Sequence, residues 1–374
     1  MRKRYRSIDV LQTTLGDGMF SYAADKKKAA GRALGTFVEI ITYYLLKDWG
    51  LLPGMAIERG LAEYANPGVT HNVEFTLHAN RLVGKKRFCE SEIPLTARKI
   101  LSGEGSFDKI TDNSLLDGDL LVKNSCTVYE AKNGFGNVYL KSTGGKLSTE
   151  LRELSYHPFA MFECKRVGVE KGQKKGPQTI EKAKQGAYVA RAVSSIQRLR
   201  MKDGSIGGFA ERADGSKLIT DDYYELVDSV IGGDYPDILD GLILTIGVVS
   251  NHGNWFTSEN RNKELEVLAQ SYDWLLFLTD EGLASFIEEV VLAENGGLPE
   301  CRKAFRDSYN GSRSGNRFTK SRILLSADIE LTEYFHRNRS KVAKWFNLIS
   351  PAGGTLEAMK KQLKNLAAIM GDGK

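Results

Sequence analysis

The sequence predicts an α/β protein: a central mixed sheet flanked by helices, with a helical C-terminal extension. Three observations carry that expectation. An apolar pattern of helical period runs from Asp25 to Leu51, residues 114–143 read as consecutive antiparallel strands, and the apolar runs at 159–162 and 240–249 suit interior strands separated by a helix. The order is helix, β-meander, helix, strand. A chain of 374 residues, 41% apolar and 26% charged, has enough ordinary globular sequence to bury a large core. The expected division is a core over 20–300, with insertions, and a basic loop plus helical extension over 301–374 packed on it.

Taken in order, the first helix has Asp25 as its N-cap and Leu34, Phe37, Ile41, Tyr44 and Leu45 at helical spacing, and it stops at Gly50. Glu39 interrupts its apolar run GTFVEIITYYLL. It reads either as an exposed helix position or as a carboxylate aimed at a site, with Gly35 on the same face allowing close approach to the sheet. Residues 52–100 give one good strand, THNVEFTLHA, and no functional reading. Asp117 and Asp119 lie at the mouth of the first meander strand; an isolated Asp-Gly-Asp is ordinarily a turn. A hairpin centred on KNSC would set Asp119 opposite Glu130, and NGFGN marks the next tight turn. The segment MKDGSIGGFAERADGSK reads as a polar connection. DGLILTIGVV is then an interior parallel strand, NKELEVLAQS a helix, DWLLFLTD a strand and EGLASFIEEVVLAE a helix. The Gly- and Ser-rich basic loop at 295–325 reads as exposed chain or as a phosphate contact. SADIELTEYFHRNRSKVAKWFNLI, capped by Ser326, and residues 355–370 complete a helical tail.

Chemistry concentrates between Phe159 and Arg200. Glu163 and Lys165 follow four apolar residues, and the period of two in a strand points both to one face while Cys164 points to the other. A surface ion pair is the ordinary reading, but an acid and an amine at the end of a buried strand seldom lack a task. Pro177 opens a helix with Ile180, Ala183, Ala187 and Ala190 turned inward and Gln178, Lys182 and Gln185 along another side. Residues 165–200 hold ten Lys or Arg against two Glu, a net +8, whereas the whole chain is only +5. Such a field, with Lys174 and Lys175 in the loop and Lys182 on the helix as phosphate contacts, suits binding and cutting a polyanion. A second triplet, Glu130-Ala131-Lys132, competes with Glu163-Cys164-Lys165. In either, an upstream Asp and the Glu share a hard divalent cation, with the lysine amine free beside it.

Other classes are disfavoured. Cys89, Cys126, Cys164 and Cys301 are widely spaced without CxxC, and the five histidines form no HxxH or HExxH, which argues for reduced thiols and against zinc. Neither G-x-S-x-G nor GxxxxGK[ST] occurs, so a serine hydrolase or a nucleotide cofactor is not expected. The basic start MRKRYRSIDV has no apolar stretch behind it and no run of eighteen apolar residues exists, so the expectation is a cytoplasmic protein without a membrane partner.

Gly35-x-x-x-Glu39 in a helix ending near Gly50, Asp117-Gly-Asp119-Leu-Leu-Val, the strand ending Glu163-Cys-Lys165 and a helix carrying Gln185 together resemble the PD-(D/E)XK nuclease superfamily, most of all its type II restriction endonucleases. The resemblance covers residues 25–280. It implies an αβββαβ restriction-endonuclease-like core, magnesium-dependent hydrolysis of double-stranded DNA with manganese able to substitute, and a homodimer. Carried over residue by residue, the metal-binding Asp falls on Asp119 or Asp117, the second metal carboxylate on Glu163, the catalytic lysine on Lys165 and the first-helix glutamate on Glu39. The chain departs from the pattern in having Leu116 where the family has Pro and in offering the second Glu-x-Lys. A repair or modification-dependent nuclease, or a DNA-binding protein without catalysis, are the alternatives.

Overall fold

The computed structural model describes residues 8–18, 20, 24–66, 68–143, 146–167, 177–250, 263–293, 297–308 and 315–371. The first core helix, α1 (Lys26–Asp48), begins where the Asp25 carboxylate accepts from the backbone N–H of Lys28 at 2.9 Å and ends ahead of Gly50, whose φ of +81° suits a residue without a side chain. Leu34, Phe37 and Ile41 are fully buried, each contributing roughly 1.5–3 kcal/mol by leaving water. In chain order there follow β1 (Met55–Ile57), β2 (Phe75–Phe88), β3 (Gly134–Thr143), β4 (Lys146–Arg166), α2 (Pro177–Val193), β5 (Leu244–Ser250), β6 (Trp274–Leu278), α3 (Leu325–Arg337) and β7 (Phe346–Ser350).

The 21-residue strand β4 organises a mixed sheet that has nine strands among the described residues. Along one edge β2 runs antiparallel to it, from Leu147↔Phe88 to Phe162↔Phe75. The other edge is shared: β3 pairs antiparallel with the first half, and β5 pairs parallel with the second, from Ala160↔Leu244 to Arg166↔Ser250. β1 adds to β2, β6 continues the parallel part and β7 closes that edge antiparallel. All seven residues of β5 are buried, as a strand covered on both faces requires. Alternation then divides the end of β4. Ala160, Phe162 and Cys164 join the core with Phe37 and Ile41 of α1, while Met161 packs with Val189 and Ala190 of α2. Thus helices cover both faces, and residues 163–165 emerge between them.

Several expectations are corrected. Residues 114–122 are not part of the central meander: Ser114–Asp117 and Leu120–Val122 form a hairpin in a separate four-stranded sheet, while Thr127–Glu130 pairs with β3 in the central one. Asp119 therefore does not face Glu130, because KNSC forms a short 3-10 turn that carries the chain from one sheet to the other. The strand on the edge of β4 away from β3, β2, and the β1 strand beyond it come from residues 55–88, a span the sequence left without a functional reading. The polar connection after Arg200 is not irregular: Ile206–Glu211 and Lys217–Thr220 join the preceding Ile196–Arg200 in a three-stranded sheet. The tail helix breaks at Asn338, and FNLIS extends along β6 because the central sheet still has an open edge to pair. Ser326 does not cap α3; its hydroxyl donates to Glu300 at 2.9 Å. The four cysteines are free, and no helix among the described residues is long and apolar enough to cross a membrane.

The C-terminal part is locked to the core by a buried charge cluster. The Asp328 carboxylate on α3 accepts from Tyr44 at 2.6 Å and Lys47 at 2.7 Å, and lies 2.9 Å from Lys123 Nζ. Burial alone would raise its pKa, but Lys123 and Lys47 outweigh burial and hold the carboxyl well below the usual carboxylate range. Because the folded-state value is depressed, this stabilisation is complete above the ordinary value of 3.8 and fades as pH falls below it. Asp328→Ala leaves Lys123 buried without its carboxylate, so urea unfolding at pH 7 is expected to show a loss of about 3–5 kcal/mol, shrinking in acid. A loss under about 1 kcal/mol at pH 7 would mean that the cluster is solvated rather than sealed.

Candidate active site

The end of β4 gathers charge where apolar packing stops. Glu163 is buried, with only 1% of its side chain exposed, and Lys165, two residues on, is about one-third exposed. Glu74 immediately precedes β2, one residue past the Phe75↔Phe162 pair, so antiparallel register brings it beside Glu163. Its Oε2 accepts from the backbone N–H of Cys164 at 3.0 Å and its Oε1 from Lys165 Nζ at 2.9 Å. Lys165 Nζ also lies 2.7 Å from Glu163 Oε1, so one ammonium bridges two carboxylates. Near them Lys320, itself buried, lies 3.4 Å from both Glu39 Oε2 and Glu58 Oε1.

These groups perturb one another in a consistent direction. Burial, then the neighbouring Glu74 charge, pushes Glu163 up to about 7 against the pull of Lys165. Glu39 is raised by burial and partly restrained by Lys320. Burial disfavours the charged forms of Lys165 and Lys320, yet the carboxylates around each outweigh it, and both lysines hold their protons more tightly than in water. If all are ionised, Glu39, Glu58, Glu74 and Glu163 carry four negative charges against two positive from Lys165 and Lys320, leaving a net of minus two.

That surplus, with neither Glu163 oxygen receiving a hydrogen bond in good geometry, fits a hard divalent cation. Glu74 and Glu163 are the residues that would hold it. Among the described residues no group of three or more His, Cys, Asp or Glu is placed to hold a metal ion.

Of the residues singled out from sequence, Glu39, Glu163 and Lys165 are brought to one place. Asp117 and Asp119 are exposed at the turn of the separate hairpin, where Gly118 has φ +56° and Arg317 lies 3.6 Å from Asp119. The acid beside Lys165 is instead Glu74, where the resemblance implied one of these aspartates. Glu130 accepts from Arg59 at 3.4 Å and Tyr156 at 3.0 Å, while Lys132 is exposed in the following turn. Lys182 and Gln185 are exposed on α2. Lys174, Lys175 and the side chain of Gln178 lie outside the described residues.

Sequence reasoning missed Glu74, Glu58, Lys320 and Gly186. Glu74 had a usable signal, an acid between Val73 and Phe75 at the start of a strand, of the same kind as Glu163. Gly186 stands inside α2, and a Cβ there would meet Glu163 Oε2 at 2.5 Å, Met161 Cε at 2.7 Å and Val73 Cγ1 at 2.9 Å. Its absent side chain is what lets the helix lie against the carboxylate. Gly35, by contrast, is no close-approach glycine, since a Cβ there would meet nothing within 4 Å. No family model, curated protein or solved structure matches the chain.

The two glycines should therefore respond oppositely to one substitution. Gly35→Ala is expected to stabilise the fold by up to about 1 kcal/mol through helix propensity alone. Gly186→Ala gains the same term but overpacks against Val73 and Glu163, at a cost of about 1–3 kcal/mol, and should come out neutral or destabilising. Chemical denaturation of both variants measures the difference, and equal stabilisation would show that Glu163 moves aside freely.

Proposed function

We propose that the chain is a divalent-metal-dependent endonuclease acting on double-stranded DNA, of the PD-(D/E)XK kind. The observation that carries this reading is the convergence of Glu74 and Glu163 on Lys165 at the end of the central strand, 2.9 and 2.7 Å from its ammonium. The chain order supports it too: with β3 and the smaller sheets set aside as insertions, α1, the antiparallel set β1–β2–β4, α2 and then β5 parallel to β4 follow one another in a sequence compatible with an αβββαβ core. The acidic position sought at Asp119 or Asp117 is assigned in this reading to Glu74, which reaches the same strand end from the neighbouring strand.

Glu74 and Glu163 are the residues that would hold the metal, from the segment before β2 and from the end of β4. A bound magnesium ion, or manganese in its place, supplies Lewis acidity toward a phosphate oxygen and acidifies water. Lys165, one-third exposed and fixed between two carboxylates, presents its remaining N–H toward solvent, where it hydrogen-bonds a phosphate oxygen as charge develops there. Lys182 and Gln185 on the exposed side of α2 then lie along the strong positive stretch beside the site and contact the backbone of the DNA, setting position more than sequence. Sequence-specific cleavage by a homodimer, as in restriction enzymes, is the form of this activity we favour.

Incubation of the purified chain with plasmid DNA tests the reading. Cleavage is expected with Mg²⁺ and is abolished by EDTA; discrete fragments mark a sequence-specific enzyme and a smear a non-specific one, whereas intact plasmid with a gel shift marks a binding protein. Glu74→Ala, Glu163→Ala and Lys165→Ala should each lower single-turnover cleavage by about 100-fold or more, since each removes a group acting where charge develops. Asp119→Ala and Glu130→Ala should stay within about threefold, as expected of groups away from the reacting atoms. A dead Asp119 variant beside an active Glu74 variant would return the metal site to the hairpin.

A further inference from the structure

We infer that this site takes one divalent cation per chain, because the ammonium of Lys320 occupies the place a second would fill; the inference rests on the metal-dependent reading above. Lys320 reaches the site from far along the sequence, just before the strand Arg322–Leu324, and only 8% of its side chain is exposed. A lysine so buried needs compensation, and it has two carboxylates at equal distance, Glu39 and Glu58, each 3.4 Å away. Two carboxylates from different elements around a compact positive charge are also donors that a hydrated divalent ion would use if that charge were removed.

Glu58 makes this pairing more than incidental. Its φ of +53° lies in the left-handed region, where Gly or Asn is the usual occupant, and it is the one non-glycine with positive φ among the described residues. Its backbone N–H donates to the carbonyl of Glu74 at 3.1 Å, so the strained residue is tied directly to the segment that carries the proposed metal ligand. With Glu39, Glu58, Glu74 and Glu163 all ionised against Lys165 and Lys320 the cluster carries minus two, the charge that one divalent ion neutralises. Lys320 is thus a positioning residue: it holds Glu39 and Glu58 and keeps the second ion out, leaving Glu74 and Glu163 to the first.

Titration of the full chain with MnCl₂, counting free Mn²⁺ by electron paramagnetic resonance, tests this without reference to cleavage. The wild type should bind one Mn²⁺ that Mg²⁺ displaces, and Glu163→Gln should bind none. Lys320→Met, checked for folding by circular dichroism, should bind two; Lys320→Arg should return to one. Should the Met variant not fold, Glu39→Gln with Glu58→Gln serves instead. It removes the would-be second site and is expected to keep one bound ion, with affinity at least threefold weaker as negative charge is lost nearby. Two ions on the wild type, none on the wild type, one on a folded Lys320→Met, or loss of the ion from the double variant would each overturn the inference. One ion bound with plasmid left intact would instead sink the nuclease reading and leave the cation count standing.

Discussion

Glu163 is a carboxylate sealed at the end of an apolar strand, and the need to compensate it shapes everything around that strand end. An ionised acid in a low-dielectric interior is tolerated only with an opposite charge or a proton, and burial duly pushes this one up to about 7. Lys165 supplies half of the remedy, yet it is shared with Glu74, and the second lysine nearby is taken up by Glu39 and Glu58. The cluster is therefore left short of positive charge. In the proposed function a divalent cation makes up that shortfall.

The scaffold explains why such a costly arrangement persists. β4 is hydrogen-bonded on both edges, and its flanking faces are filled by α1 on one side and α2 on the other, so residues 163–165 cannot relax toward water without unpairing the sheet. Gly186 lets α2 close on Glu163, and the Asp328 cluster pins α3 to α1, holding the C-terminal part of the chain against the core. Rigid elements around a charged strand end are what preorganised electrostatics requires, because the groups must already be in place when charge develops on a substrate. The C-terminal segment is built into the same assembly: β7 pairs with β6 in the central sheet and Lys320 enters the charged cluster.

What the sequence by itself determined was whatever depends on local periodicity. The span of α1 with its Asp25 cap, the burial of β5, the opening of α2 at Pro177 and the common face of Glu163 and Lys165 all follow from repeats of 3.6 or 2 residues and from capping chemistry, which neighbouring residues settle among themselves. Tertiary structure alone decided which charges meet. Glu74 reaches Lys165 across a separation of 91 residues, through a strand register that no local pattern encodes, while Asp119, placed with Glu163 and Lys165 by the resemblance, stands in another sheet beyond a short turn. Lys320 comes from a loop whose basic composition reads as solvent-exposed, and it is buried only because carboxylates from α1 and from the chain after β1 wait for it. Spacing fixes the direction in which a side chain points; topology and register fix what stands opposite, and here they set Glu74 against Lys165.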